Sequence, residues 1–428
     1  MSKSPALKRS LGLGAVVALG INGVIGQGIF LLPGKAAGLM GPASLLGIGI
    51  AAVLCLLIAL CFAEVGSRFS STGGAYVYAR EAFGDFIGFE VGWMTCCVAV
   101  ISWAALANGF TLVLGSFIPQ VAEGWLQKVV AVGLMVVLTG VNLRGAKQGA
   151  MVSTFFSVAK LVPMAVFVAA GAFAIDSANF QPFAPQGYGD LAETTLILLY
   201  AFVGFETLVV PAGEMENPQR NVPKALIAVM AVVSVVYLAV LTVSIGTLPE
   251  IAGHNNPVAA AAANVLGPVG GTLVAVGIII SVFGTNSGAA LVSPRRFYAM
   301  AERGDLPKVF ARVDPSSGVP VPAVLLTMAL SSVLAVTGSF VELAALGVLA
   351  RFLQYIPTCL AAIILRRRDG PETIEGFRLP FGPALPILTV ILCCVLMANT
   401  SADRLIKGGI AVLIGAVLYG LSQAFKTR

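Results

Sequence analysis

Long uncharged runs dominate this sequence. Residues 10–34, 36–63, 91–122, 225–249, 315–341, 379–402 and 408–425 contain no Asp, Glu, Lys or Arg. An apolar stretch of about 18 residues or more without charge is long enough to cross the hydrocarbon core of a bilayer as a helix. In lipid, backbone N–H and C=O groups find partners only within the protein, so helices are the form such runs take. The uncharged run 251–294 holds a loop and one more helix. Spans near 125–143, 150–175, 191–213 and 343–365 follow when single interruptions are allowed. The reading is an all-α integral membrane protein with twelve transmembrane helices, a single domain over 1–428. Only 11% of its residues are charged, against about 25% in soluble domains.

Twelve spans put both termini on one side of the membrane. The two tails and the even-numbered loops hold Lys3, Lys8, Arg9, Arg68, Arg80, Arg144, Lys147, Arg220, Lys224, Arg295, Arg296, Arg303, Lys308, Arg312, Arg366, Arg367, Arg368, Arg378, Lys426 and Arg428. Opposite them stand only Lys35, Lys128, Arg404 and Lys407. Cytoplasmic loops carry the excess of Lys and Arg. Both termini are therefore expected in the cytoplasm, in a multi-pass protein of the plasma (inner) membrane. The net charge of +6 reports topology, and nucleic-acid binding is not needed to explain it. Met1–Arg9 is basic, but the apolar run behind it is too long for a signal peptide and lacks a convincing cleavage site. All seven cysteines lie in predicted spans and the one histidine, His254, in a loop. No disulfide framework, metal site or cofactor is expected.

Residues 20–34 read GINGVIGQGIFLLPG. Glycine costs about 1 kcal/mol relative to alanine inside a helix. Yet Gly20, Gly23, Gly26 and Gly28 stand mid-span, with polar Asn22 and Gln27 among them. The sixth span, LILLYAFVGFETLVVPAGE over 196–214, repeats the pattern with Gly204 and Glu206. Unwound backbone survives at such depth only around a cavity or ligand. Interruptions at matching places in two halves point to a carrier built from inverted repeats. Here these would be about 10–175 (helices 1–5) and 191–368 (helices 6–10), with helices 11 and 12 appended over about 380–425. The first helix is expected to end near Ile21–Gly23 and to restart near Gly26–Gly28. The restart aims free N–H groups and a positive dipole end into the cavity, which suits a carboxylate. Carbonyls freed upstream, and around Phe202–Val203, suit an ammonium. A carboxylate site beside an ammonium site describes an α-amino acid.

GVIGQGIFLLPG resembles the first-helix signature of the amino acid–polyamine–organocation superfamily. STGGAYVYAREAFGDFIGFEVGW is similar to its segment between helices two and three, and YAFVGFETLVVPAGEMENPQRNVPKAL to its sixth-helix signature. RRFYAMAERGDLP and LRRR also fit, in the right order, over about residues 10–380. The resemblance implies the leucine-transporter-type fold, a 5+5 inverted repeat with helices 1 and 6 broken. It also implies secondary active transport of amino acids or polyamines and no enzymatic activity. Substrate contacts are implied at Ile21, Asn22, Gly23, Gly26, Gln27 and Gly28, and at Tyr200, Phe202, Val203 and Gly204. Tyr200 or Phe202 would be the aromatic lid. Gln27 stands where the family often has Ser or Thr, and its longer amide narrows the cavity or adds hydrogen bonds. A disulfide-linked heavy chain, as in some eukaryotic relatives, would need an outer cysteine after helix three. Residues 116–124 have none.

Ionisable residues inside spans are expensive and mark function. Lys160, Glu206 and Arg351 are the three that stand out. Lys160 matches a helix-five lysine in several superfamily members, where the ammonium resembles a stand-in for a sodium ion. It is expected to hold the first helix by carbonyls near Gly20–Asn22, with Ser281, Thr285 and Asn286 of helix eight as partners, and is a candidate to bind and release a coupling proton. Glu206 is a candidate for pocket, gate or ion pair. Arg351 is a candidate to meet Glu206 or a substrate carboxylate, or to serve packing alone. Ser102, with Trp103 and Asn108, is placed on the far wall; Glu64 and Glu90 read as structural. A membrane enzyme needs convergent His, Asp or Ser groups, and a channel needs a polar stripe or filter loop; the sequence shows neither pattern. The reading is amino acid transport by alternating access, proton-coupled or by exchange. Scarce polar side chains favour a neutral, small-to-medium L-amino acid; Glu206 keeps a cationic amino acid or polyamine as the alternative.

Overall fold

The first uncharged run does not fold as one rod. In a computed structural model, which describes residues 11–144, 146–254, 256–369 and 376–426, helix α1 (Leu13–Val24) stops, three non-helical residues follow, and α2 (Gly28–Met40) begins. Lys3, Lys8, Arg9 and Arg428 of the expected charge asymmetry lie outside the described residues. Next come α3 (Ser44–Gly66), a short α4 (Ala75–Phe83), α5 (Asp85–Leu114), α6 (Gly124–Asn142) and α7 (Ala146–Gly171). Helix α8 (Leu191–Phe202) ends at Val203–Gly204, and the chain continues as 3-10 turns over Phe205–Val209 and Ala212–Glu214. The second half adds α9 (Pro218–Thr247), α10 (Pro257–Glu302, kinked at Gly267), α11 (Val321–Thr337), α12 (Phe340–Asp369), α13 (Ala384–Ala398) and α14 (Ala402–Lys426).

Among the described residues, eight helical segments are long and apolar enough to cross a membrane. One of the eight, Leu13–Gly66, is folded as α1, α2 and α3. Phe155–Gly171, Val321–Thr337 and Ala384–Ala398 are shorter apolar helices. Val53, Val137, Phe155, Val235 and Leu413 each expose more than half their surface. Apolar side chains spread around the outside of a helical bundle fit lipid rather than water.

Two long helices organise the interior. α5 packs against α10, α12, α4 and α11, while α9 packs against α3 and α1. The broken pairs lie among them: α1 meets α9, α7 and α10, and α2 meets α8. Tyr355 stacks on Phe205 at 5.5 Å and meets Phe62 edge-on at 5.8 Å, which seats the turn after α8 on α3 and α12. One end of the bundle is laced by charge. Arg295 pairs with Glu214 at 2.8 Å, and Asp305 accepts from both Tyr76 (2.6 Å) and Arg80 (2.8 Å). Glu64, fully buried, pairs with Arg366 and accepts the Leu379 N–H at 2.8 Å. Buried Glu90 lies where a side chain at Gly415 of α14 would stand.

Candidate functional site

The last turn of α1 leaves carbonyls with no helical partner, and neighbouring helices engage them. Lys160 of α7, wholly buried, donates to the Asn22 carbonyl (3.1 Å), to the Ile25 carbonyl and to Thr285 Oγ1 (3.0 Å). An ammonium has three donors and no acceptor, so this set satisfies it in full. Thr285 also lies within hydrogen-bond distance of Asn22 and Ile25, and Ser281 donates to Ile25 at 3.4 Å. Asn286 turns elsewhere, donating to Leu106 and Val282. The Asn22 side chain donates to the Gly284 carbonyl at 3.0 Å and braces α1 on α10.

A tyrosine ties the two breaks together. Tyr237 Oη of α9 lies 3.1 Å from the Val24 carbonyl and 3.0 Å from the Ala201 carbonyl. Tyr237→Phe leaves both carbonyls without that donor. A loss of ~1–3 kcal/mol in stability is expected, since an unsatisfied buried acceptor carries that penalty. A fall in the thermal unfolding midpoint of the purified protein measures it.

Where the breaks meet, glycine is required. Gly204 has φ +119°, and a Cβ there would stand 2.4 Å from the Gly23 carbonyl oxygen. Gly28 opens α2 against Ala201, with 2.8 Å from a built Cβ to the Ala201 Cα. The backbones of the two interrupted helices are thus in direct contact. α2 begins at this contact, at Gly28.

A cavity of about 70 Å³ lies there. Gly23, Gly26, Gln27, Gly28, Ser102, Tyr200, Val203, Gly204 and Arg351 line it; Ile21, Asn22 and Phe202 do not. Phe202 is buried against Tyr237, with ring centroids 5.0 Å apart. Tyr200 is the residue shared with a second cavity of about 210 Å³ bordered by Lys35, Glu193 and Arg404. Tyr200 therefore borders both spaces. Gln27 Nε2 reaches Tyr200 Oη (3.3 Å) and the Ala105 carbonyl (3.4 Å), while its Oε1 is buried without a partner.

Glu206 and Arg351 meet. Arg351 Nε donates to Glu206 Oε1 at 2.7 Å, and Oε2 accepts from Tyr355 Oη and the Gly204 N–H, each at 2.9 Å. Arg351 further donates to Ser102 Oγ at 2.8 Å and to the Gly347 carbonyl at 3.0 Å. The carboxylate thus holds the strained glycine, and the guanidinium ties that bend to α5 and α12. Three participants escaped the sequence reading: Tyr237, Tyr355 and Arg296. The two hydroxyls carried a weak signal as polar tips inside apolar spans. Arg296 was assigned to a cytoplasmic loop, yet it is buried and lines the cavity.

The model of a family described as amino acid permease matches residues 11–414. The chain belongs to the amino acid permease family. This permease is 30% identical to the serine/threonine exchanger SteT of Bacillus subtilis, over 97% of this chain and 98% of that protein. It is 27% identical to the branched-chain amino acid permease BcaP of the same organism, over 98% and 94%. It is 30% identical to the human cationic amino acid transporter 4, over 87% of this chain and 62% of that protein. Such relatives are named as carriers, and this permease is a multi-pass membrane transporter of the amino acid–polyamine–organocation superfamily rather than an enzyme.

Proposed function

We propose that this permease is a secondary active transporter carrying amino acids across the plasma membrane by alternating access. The observation that carries the reading is the cavity where two interrupted helices touch. The substrate carboxylate is seated on the N–H groups at the start of α2, around Gly26–Gly28. The ammonium faces the carbonyls along the Gly23–Gly204 seam, and Gln27 Oε1 is placed to accept from it. Tyr200 closes the site against the larger cavity. α1 with α2, and α8 with the turns behind it, are each one broken span. With α3, α5, α6, α7 and α9 to α14 they make twelve, arranged as repeats of about 10–175 and 191–368 with α13 and α14 appended and both termini cytoplasmic.

Lys160 occupies the position at the α1 carbonyls that a coupling cation would need, so proton coupling or exchange is favoured over sodium. Lys160→Ala removes the bridge between α7 and the break. Uptake of labelled amino acid into proteoliposomes under an imposed pH gradient is expected to drop at least tenfold, about 1.4 kcal/mol. Undiminished pH-driven uptake in this variant would refute the coupling role. Exchange is the second mode, supported by the name of the exchanger among the relatives. Saturable counterflow, with and without sodium and a pH gradient, separates the modes.

Neutral side chains, small to medium, remain compatible with the mostly apolar wall. The cationic or polyamine alternative rested on Glu206. That carboxylate is turned to Arg351 and Tyr355, and the charged side chains on the cavity wall are Arg296 and Arg351. Arg351 is neutralised by Glu206, and Arg296, which forms no ion pair among the described residues, repels a cationic substrate side chain.

A further inference from the structure

Arg296 takes no part in gripping an amino-acid backbone, yet it stands on the cavity wall. Thr285, Gly288, Ala289, Val292, Ser293 and Arg296 all line the cavity, at the three- and four-residue spacing of one helix face. Thr285 touches the break in helix one through Ile25. The stripe therefore extends about 16 Å along α10 from the break to Arg296, at 1.5 Å per residue.

The charge is not balanced from within. Arg296 is only 5% exposed. Its Nη1 donates to the Thr95 carbonyl at 3.0 Å, and its Nε is buried with no partner. It forms no ion pair among the described residues. The charges it feels include Glu206 and Arg351, but Glu206 is already taken by Arg351, Tyr355 and the Gly204 N–H. That pair cancels, and one full positive charge remains at the cavity. Arginine does not shed its proton, and an uncompensated buried ion is unfavourable. An anionic ligand removes that penalty.

We infer that Arg296 binds a carboxylate on the substrate's side chain, and that this permease carries an acidic amino acid. The inference rests on the proposed seating of the α-amino and α-carboxyl groups at the helix breaks. Gly288 and Ala289 line the cavity with little side chain and Val292 offers an apolar surface to methylene groups, and the planar guanidinium matches a carboxylate in two parallel hydrogen bonds. An amide of the same shape fills the space but leaves the charge uncompensated.

Proteoliposomes with the full-length protein provide the test, using counterflow and its inhibition by L-glutamate, L-aspartate, L-glutamine, L-asparagine and L-lysine. The wild type is expected to prefer at least one acid over its own amide by tenfold or more and to ignore lysine. Arg296→Gln is expected to shift that ratio at least tenfold toward the amide, and Arg296→Lys to retain a preference for the acid. A wild type that takes the amides or other neutral amino acids as well as the acids overturns the inference while leaving the carrier reading intact. So does an Arg296→Gln variant that loses acid and amide equally, because the guanidinium would then serve the shared backbone. Absence of saturable counterflow with any amino acid overturns both. Should Arg296→Gln fail to fold, the acid-to-amide ratio of the wild type and of Arg296→Lys still decides the matter.

Discussion

Gly204→Ala is expected to abolish transport, lowering the initial rate of uptake about a hundredfold or more, which corresponds to roughly 2.7 kcal/mol. The residue sits at φ +119°, a conformation that costs a residue with a side chain about 1–3 kcal/mol. The new methyl would also stand 2.4 Å from the Gly23 carbonyl oxygen, so one of the two broken helices must move. Moving either displaces the carbonyls and N–H groups proposed to hold the substrate. Gly14 is the matched control, since a Cβ there meets nothing within 4 Å. Gly14→Ala is expected to transport normally. Uptake by both variants, normalised to protein incorporated in the vesicles, makes the comparison. Wild-type rates from Gly204→Ala would show that the contact between the breaks is not needed.

Arg351→Ala is expected to be the most destabilising substitution in the site. Glu206 and Arg351 are 2% and 3% exposed, so removing the guanidinium strands a carboxylate in the interior. Breaking a buried pair in this way costs about 3–5 kcal/mol. The loss reaches beyond the pair, because Arg351 also holds Ser102 and the Gly347 carbonyl. The thermal unfolding midpoint in detergent is expected to fall steeply. Glu206→Gln combined with Arg351→Met removes both charges and is expected to recover much of the stability, since the stranded charge is gone. It is not expected to recover transport, because the Gly204 bend loses its charged acceptor. If the single variant unfolded no earlier than the double, the stranded carboxylate would not be the source of the loss.

Charge-free runs and misplaced glycines made much of this protein readable from one dimension. Hydrocarbon admits helices, and a run of uncharged residues therefore states both element and solvent. Gly23, Gly26, Gly28 and Gly204 signalled interruptions because they fall at matching places in the first and sixth spans. Helix α1 ends at Val24, one residue beyond the expected Ile21–Gly23, while α2 starts at Gly28, within the expected Gly26–Gly28. Local propensity marks where a helix is weak; which peptide gives way depends on the lysine, threonine and tyrosine that engage its carbonyls. Side-chain direction was hidden in the same way. Tyr200 and Phe202 are equivalent as text, yet one borders two cavities and the other packs on Tyr237.

By itself, then, the sequence determined a helical membrane protein interrupted in two places, because an uncharged run and a mid-span glycine act through the local backbone and its solvent. Tertiary structure alone decided which groups face the cavity. Glu206 turns away to Arg351 across 145 residues of chain. Arg296, next to Arg295 of α10, which pairs with Glu214, is drawn inside. Those outcomes depend on long-range electrostatics in a low-dielectric interior, where a charge is defined by what surrounds it.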